Sequence, residues 1–246
     1  MDKLIYTAMT GANAAAYRQA VLANNLANVS TNGFRAELST YRAVPVRGDG
    51  SATRVMALEA TSGFSDLPGA PQHTGRGMDA MTTGNSWFAV QGSDGTEAYT
   101  RNGSFEVDSE GTLKTNNGLT VFSDSSSPIT APLGAEVTLG SDGTLTAKVG
   151  NQPPTGIGRL KLATPTADDP LKRGDDGLFR TTSGDPMPND TTARLQLGVI
   201  EGSNVNAIET MVGMIQTARQ FEAQTKLMQT AETNDRSAAQ LLNMQG

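Results

Sequence analysis

Two stretches almost free of helix breakers stand at opposite ends of this chain, and the sequence between them is punctuated by glycine and proline. From Leu4 to about Asn28 the residues are helix formers. Apolar side chains recur at Ile5, Met9, Ala12, Ala16, Leu22 and Leu26, the spacing of one helical stripe. Thr31-Asn32-Gly33 supplies the stop, because glycine takes the left-handed conformation past a helix end without steric cost. From Val205 to Leu242 Gly213 is the only glycine, and Asn206 stands as a cap with Glu209 three residues on. Met211, Met214, Ala218, Phe221, Thr225 and Met228 form a second stripe, widened by Ile208 and Ile215. A helix of that span is roughly 50–57 Å long at 1.5 Å per residue, more than a small β domain covers as one packed layer. Neither helix has a helical neighbour in sequence, so each stripe is buried against the other helix or against other copies.

The middle of the chain reads as two regimes. Residues from about Val44 to Met78 carry Gly48, Gly50, Pro68, Gly69, Pro71, Gly75 and Gly77 among other breakers, with scattered polar side chains, and read as an extended connector with short strands at best. From Trp87 the pattern becomes strand, turn, strand. Trp87-Phe88-Ala89-Val90, Phe105-Glu106-Val107, Leu119-Thr120-Val121-Phe122, Val137-Thr138-Leu139, Leu145 to Val149 and Leu195 to Ile200 are among the runs. The turns repeat: Ser93-Asp94-Gly95-Thr96, Ser109-Glu110-Gly111-Thr112 and Ser141-Asp142-Gly143-Thr144. Their acidic-Gly pairs provide the positive φ that tight hairpins need. Thr115 reads as an exposed strand-turn position. The fold class is α+β: N- and C-terminal helices pairing as a coiled-coil-like core, with an antiparallel, mainly-β domain inserted between them. The divisions are 1–38 (helical, inner core), 39–78 (extended connector), 79–200 (β-rich outer domain) and 201–246 (helical, inner core).

Composition removes most chemistries. The chain has no Cys, which excludes disulfides, thiolate catalysis and Cys-ligated zinc. A net charge of −6 argues against a nucleic-acid binder, which normally presents a basic face. His73, the only histidine, lies in the Gly/Pro-rich connector and reads as an ordinary loop residue instead of a catalytic base. The turn Ser141-Asp142-Gly143-Thr144-Leu145 does not supply the alternating ligands of a calcium loop, and the pairs Asp168-Asp169 and Asp175-Asp176 offer at most weak ligands against the reading as ordinary turns. No glycine-rich phosphate loop stands between a strand and a helix. No catalytic, cofactor-binding or metal-binding residue is expected, and no cofactor, nucleic acid or small-molecule substrate. The first residues, Met1-Asp2-Lys3-Leu4-Ile5-Tyr6, lack the features of a cleaved secretory signal, and no apolar run reaches ~18 residues, so no membrane insertion is expected.

Three motifs sharpen this reading. Ala23-Asn24-Asn25-Leu26-Ala27-Asn28-Val29-Ser30-Thr31-Asn32-Gly33-Phe34-Arg35 resembles the N-terminal signature of the flagellar rod and hook axial proteins. Tyr99-Thr100-Arg101-Asn102-Gly103-Ser104-Phe105 is similar to that family's core strand motif, and Gly198-Val199-Ile200-Glu201-Gly202-Ser203-Asn204-Val205-Asn206 to the entry of its C-terminal helix. The opening Leu4 to Met9, the segment Arg42 to Val46 and the run Arg173 to Arg180 resemble the proximal-rod members.

The resemblance implies a non-enzymatic subunit of the flagellar basal-body rod, polymerising through its terminal helices into a tubular drive shaft needed for motility. The implied location is the rod crossing the periplasm, reached by type III export without signal cleavage. The implied partners are further copies of itself, other proximal-rod proteins, the distal-rod protein and the export apparatus. The implied subunit-interface residues are Ile5, Met9, Ala12, Leu22, Asn25, Leu26, Asn28, Gly33 and Phe34 at the N-terminal end. At the C-terminal end they are Asn204, Val205, Ile208, Met211, Met214, Ile215, Ala218, Phe221 and Met228. A lone subunit is expected to leave these ends loose until assembly. A distal-rod or hook-type axial protein is the alternative within the family. Outside it stands a phage-tail or adhesive β protein, which predicts trimers or ligand binding instead of helical stacking.

Overall fold

A computed structural model describes residues 2–46, 55–59 and 63–243. Two helices bracket a mainly antiparallel β region: α1 spans Asp2–Ala27 and α2 spans Ala207–Asn243. The chain divides into two compact units. The first holds residues 1–29, 36–65 and 205–246, and the second residues 30–35 and 66–204.

In the first unit α1 and α2 pack together. Asn206 starts α2 as a cap: its Oδ1 accepts from the amides of Ile208 at 3.1 Å and Glu209 at 3.3 Å, two of the donors a helix start leaves unpaired. Leu22 lies over Gly213 and Gln224 lies against Gly11, so the helices run antiparallel. The strands Tyr41–Pro45 and Val55–Glu59 pair antiparallel, and Val55–Glu59 also lies against α1. Residues 47–54, between these two strands, lie outside the described residues.

In the second unit the core is a cluster of aliphatic and aromatic side chains, among them Phe88, Val90, Phe105, Leu113, Val121, Leu145, Leu160 and Leu162. Its largest sheet has five antiparallel strands, in spatial order Leu162–Ala163, Trp87–Gln91, Glu97–Thr100, Phe179–Thr181 and Leu171–Arg173. A second, three-stranded antiparallel sheet is formed by Glu136–Leu139, Thr144–Lys148 and Thr155–Arg159.

The acidic-Gly turns share one geometry. In the hairpin closed by Gly95, the Gly92 amide donates to Thr96 O at 2.9 Å, the Gly95 amide donates to Gly92 O at 3.0 Å, and Gly95 has φ 79°. The hairpins closed by Gly111, Gly143 and Gly177 repeat it. Each of these turns needs positive φ at the position that glycine fills without steric cost, which is why the acidic-Gly dipeptide recurs.

Several sequence expectations need correction. Leu119 to Phe122 is not a ladder strand; it makes single bridges, Thr120 with Lys114 and Val121 with Val90. Leu195 to Ile200 is two strands, since Gly198, at φ 68°, turns the chain between them. Leu195–Leu197 pairs with Ala80–Thr82, and Val199–Glu201 pairs with Pro71–His73. His73 therefore lies in a short ladder opposite Val199 and is not a loop residue, though its side chain is exposed. Thr115 is fully buried, its hydroxyl accepting from the Leu119 amide at 3.2 Å, because alternation along Leu113–Thr115 turns it inward.

The turn carboxylates contribute to the acid sensitivity of this unit. Hydrogen bonds from Thr144 hold the Asp142 carboxyl below its ordinary value, and those from Thr192 and then Thr164 bring Asp190 down to about 2. A carboxyl depressed in the folded state contributes stability that is complete above its unfolded value, ~3.9, and disappears as pH falls through the folded one. Intact protein should therefore lose cooperativity between about pH 4 and pH 2, followed by the fluorescence of the single, buried Trp87. Asp190→Asn should remove part of that pH dependence; an unchanged acid transition would show that Asp190 does not contribute.

Candidate functional site

In the first unit the residues of both stripes divide between buried and exposed faces of the two helices. On α1, Ala8, Ala12 and Ala15 are buried, and half-buried Ile5, Leu22 and Leu26 continue the same face, which is the face on α2. Ala14, Val21 and Asn25 define a second face, which meets the chain that follows α1. The Tyr41 hydroxyl donates to Ala14 O at 3.0 Å. Asn25 is 5% exposed; its Nδ2 donates to Glu37 O at 2.9 Å and its Oδ1 accepts from the Glu37 amide at 2.8 Å. One side chain thus pairs with a strand residue as a backbone neighbour would. Asn28 Nδ2 donates to Asn24 O at 2.9 Å, and Met9 is exposed.

On α2 the buried positions are Thr210, Thr217 and Ala231, with Gly213, Met214, Gln224 and Met228 half-buried beside them. Thr217 can be buried because its hydroxyl donates to Gly213 O within the helix, at 2.8 Å. The bulky residues point elsewhere. Ile208 is 75% exposed and Ile215 57%, with Met211 and Val212 between them. At about 100° per residue these four lie on the side of α2 turned away from Thr210 and Thr217. Ala218 and Phe221 are exposed too, and Val205 is half-buried. The helix pair is thus closed by alanine and threonine while isoleucine, methionine and valine stand in solvent.

In the second unit the three motifs meet at one buried cluster. Arg35, Trp87, Arg101 and Glu201 are each no more than 2% exposed. Glu201 Oε1 accepts from Arg35 Nη2 at 2.7 Å and from the Gly69 amide at 2.9 Å; Glu201 Oε2 stands 3.5 Å from Arg101 Nη1. Both guanidinium groups lie over the Trp87 ring, at 5.8 Å and 5.0 Å from its centroid. Arg101 Nη1 also donates to Thr82 Oγ1 at 2.5 Å and Nη2 to Gly84 O at 2.9 Å, while Arg35 Nη1 donates to the carbonyls of Leu67 and Asp66. Burial lowers Arg101 to about 10 and lowers Arg35 as well, the Glu201 charge opposing both shifts.

Around the cluster the backbone is clasped. The Gly33 amide donates to Glu201 O at 2.7 Å, the Asn204 amide to Phe34 O at 3.2 Å and the Gly202 amide to Ala70 O at 3.0 Å. Gly33 has φ 70°, and a Cβ there would lie 2.4 Å from the Arg101 carbonyl carbon; one on Gly69 would lie 1.9 Å from Gly202 O. Phe34 is buried beneath the Arg173 guanidinium at 4.4 Å, and Asn204 Nδ2 donates to Leu67 O at 2.8 Å. Gly33, Phe34 and Asn204 therefore have their partners inside this unit.

The strand motif belongs to the same construction. Tyr99 OH accepts from the Met187 amide, Asn102 Nδ2 reaches Asn116 Oδ1 at 2.7 Å, and Phe105 meets Phe88 edge-on at 5.1 Å. Arg35, Arg101 and Glu201 each lie inside one of the three motifs, and no local pattern in the sequence shows that they pair.

Comparison with known proteins agrees in order along the chain. A family model described as flagella basal body rod protein matches residues 5–35, the flagellar hook protein FlgE/F/G D1 domain matches 81–147, and the flagellar basal body rod FlgEFG protein C-terminal matches 196–241. All three are models of flagellar rod and hook proteins. The flagellar basal-body rod protein FlgF of Escherichia coli (strain K12) is 44% identical across 99% of this chain and the whole of that protein. FlgF of Salmonella typhimurium is 43% identical with the same coverage, and FlgG of Buchnera aphidicola subsp. Schizaphis graminum is 31% identical across 96% of this chain and 98% of its own length. The chain belongs to the FlgF family of flagellar basal-body rod proteins; it is a structural subunit of the basal body and not an enzyme. Among the described residues no helix is long and apolar enough to cross a membrane.

Replacing Asn25 by Leu removes both bonds to Glu37 and leaves that strand's amide and carbonyl without their partner. The change should destabilise the first unit by about 1–3 kcal/mol. Hydrogen exchange at the Glu37 amide should rise while exchange in the Trp87–Gln91 strand stays as it was; equal protection at Glu37 would remove Asn25 from this role.

Proposed function

We propose that this subunit builds the proximal part of the rod, polymerising through the outward faces of its terminal helices into a tube that transmits rotation. The observation that carries this is the inverted apolar distribution of α2: Ile208, Met211, Val212 and Ile215 exposed, threonine and alanine buried. Exposed apolar area is worth about 25 cal/mol per Å² once a neighbour covers it, and a contiguous apolar face on a soluble chain marks an interaction surface. The neighbours are further copies, other proximal-rod subunits and the distal-rod protein.

The pairing of α1 with α2 is coiled-coil-like on this reading. Positions 5, 8, 12, 15, 19, 22 and 26, and 210, 214, 217, 221, 224, 228 and 231, alternate by three and four residues as heptads do. The residues 1–38 and 201–246 then supply the inner core of the tube and 79–200 its outer β-rich layer, with 39–78 between. Export through the type III apparatus without signal cleavage, and a place in the periplasmic span, follow from the same reading. The 31% identity to a FlgG keeps a distal-rod role as the second reading, and the higher identity to FlgF proteins favours the proximal one.

Because the helix pair buries mostly alanine, a lone subunit gains little from closing it. Limited proteolysis of verified monomer should trim residues 2–29 and 205–243 before it cuts the second unit, and assembly should protect them. Equal resistance of both units in the monomer would count against ordering on assembly.

Ile215→Asp should cost the monomer little, since the side chain is already exposed, and about 3 kcal/mol or more at every interface that buries it. Rods should fail to grow although the subunit is exported. Asn117→Asp, at an exposed turn, is the control. Electron microscopy of hook–basal bodies decides: normal rods built from exported Ile215→Asp subunit would overturn the assembly role of this face.

A further inference from the structure

The buried cluster of the second unit holds two cations and one anion, and the anion is the last member to appear along the chain. Arg35 and Arg101 are 1% and 2% exposed, and Glu201 is the acid that pairs with both. Arg35, Gly69, Thr82, Trp87 and Arg101 all precede it, and the Gly69 amide that Glu201 holds lies 132 residues earlier. Removing two guanidinium groups from water costs several kcal/mol each unless a counter-charge meets them. Without Glu201 the cations keep the neutral acceptors Thr82, Gly84, Asn85, Leu67 and Asp66 O, and the one other negative charge acting on both is that of the Asp66 carboxylate, which stands exposed and is no substitute for a buried partner. Water outside is then the better solvent, and the base of the unit stays open.

We propose that Glu201 is the closing counter-ion of the β unit, so that the unit completes its fold only when the segment leading into α2 is in place. Arg35 and Arg101 hold the base apart until that strand arrives. The strand Val199–Glu201 docks on Pro71–His73, the carboxylate neutralises both guanidinium groups over Trp87, and the Gly33–Glu201 and Gly202–Ala70 bonds then form together. Closure is thereby tied to both ends of the unit at once. A chain interrupted before Glu201 keeps its apolar base exposed instead of presenting a finished subunit. This differs from ordinary packing in one respect: the requirement for Glu201 is created by the two arginines, and it disappears with them.

The test uses full-length protein and hydrogen exchange at the amides of Gly33, Gly69 and Gly202. Glu201→Gln keeps shape and hydrogen-bonding capacity but removes the charge; exchange at these amides should rise on the order of 100-fold. Glu201→Met should do the same. The triple variant Arg35→Met, Arg101→Met, Glu201→Met removes the charges together and should return exchange to within about tenfold of the parent. Glu201→Asp, which keeps the charge, should lie nearer the parent than Glu201→Gln does. A chain recovered unfolded counts as open in every arm. Two results overturn the proposal: parental protection in Glu201→Gln, or a triple variant as open as Glu201→Met, which would mean that the contacts and not the charges close the unit.

Discussion

The ion pair between Glu201 and Arg35, with Arg101 as the second cation and Trp87 as the surface beneath both, is the constraint around which the β unit is arranged. It joins residues from the first, third and last parts of the chain in a place water does not reach. A buried pair of this kind adds little stability over an apolar replacement, but one partner alone is costly. That asymmetry accounts for the surrounding detail. Gly33 and Gly69 lack a Cβ because the backbones that bring the charges together approach too closely to admit one. The carbonyls of Leu67 and Gly84 turn toward the guanidinium groups because those protons need acceptors.

The helical unit is organised by the opposite principle. Its fully buried positions are alanines, Val21, Asn25 and threonines that satisfy their own hydroxyls; Leu22 and Met228 are half-buried on the pair, while Ile208, Met211, Val212 and Ile215 face outward. Such a pair gains little from being closed alone and much from being covered. The β unit, by contrast, has a core of its own, with Phe88, Phe105, Leu145 and Leu160 essentially removed from solvent. The division is physical: the β unit carries its own apolar core, and the helical unit keeps part of its apolar surface in solvent.

The repeated turns show how local chemistry carries over into the fold. In the hairpins closed by Gly95 and Gly143 an acidic side chain accepts from the threonine two residues on, and a glycine at positive φ closes the loop. These units form from contacts between adjacent residues, so they could be read as hairpins without knowing what lay on either side. The segment Leu119 to Phe122 follows a local turn at Gly118 and bridges Lys114 nearby, but its Val121 bridge depends on the distant Val90, so it forms single bridges in place of a ladder.

The sequence by itself determined the two helices, the hairpins and the family, because helix periodicity, caps and turn dipeptides act over a few residues and the motifs sit in fixed order. Even the apolar stripes were visible. Only the tertiary structure decided which side of each stripe is buried: Leu22 and Met228 turn toward the helix pair, Ile208 and Ile215 away from it, and the choice depends on an antiparallel register that no local pattern encodes. The same holds for Thr115, whose inward direction follows from strand pairing. It holds most of all for Glu201, an exposed-looking acid in a linear reading. Its burial is set by two arginines and a tryptophan far away in the chain, since the energy of a buried charge depends on what surrounds it in space and not on what precedes it in sequence.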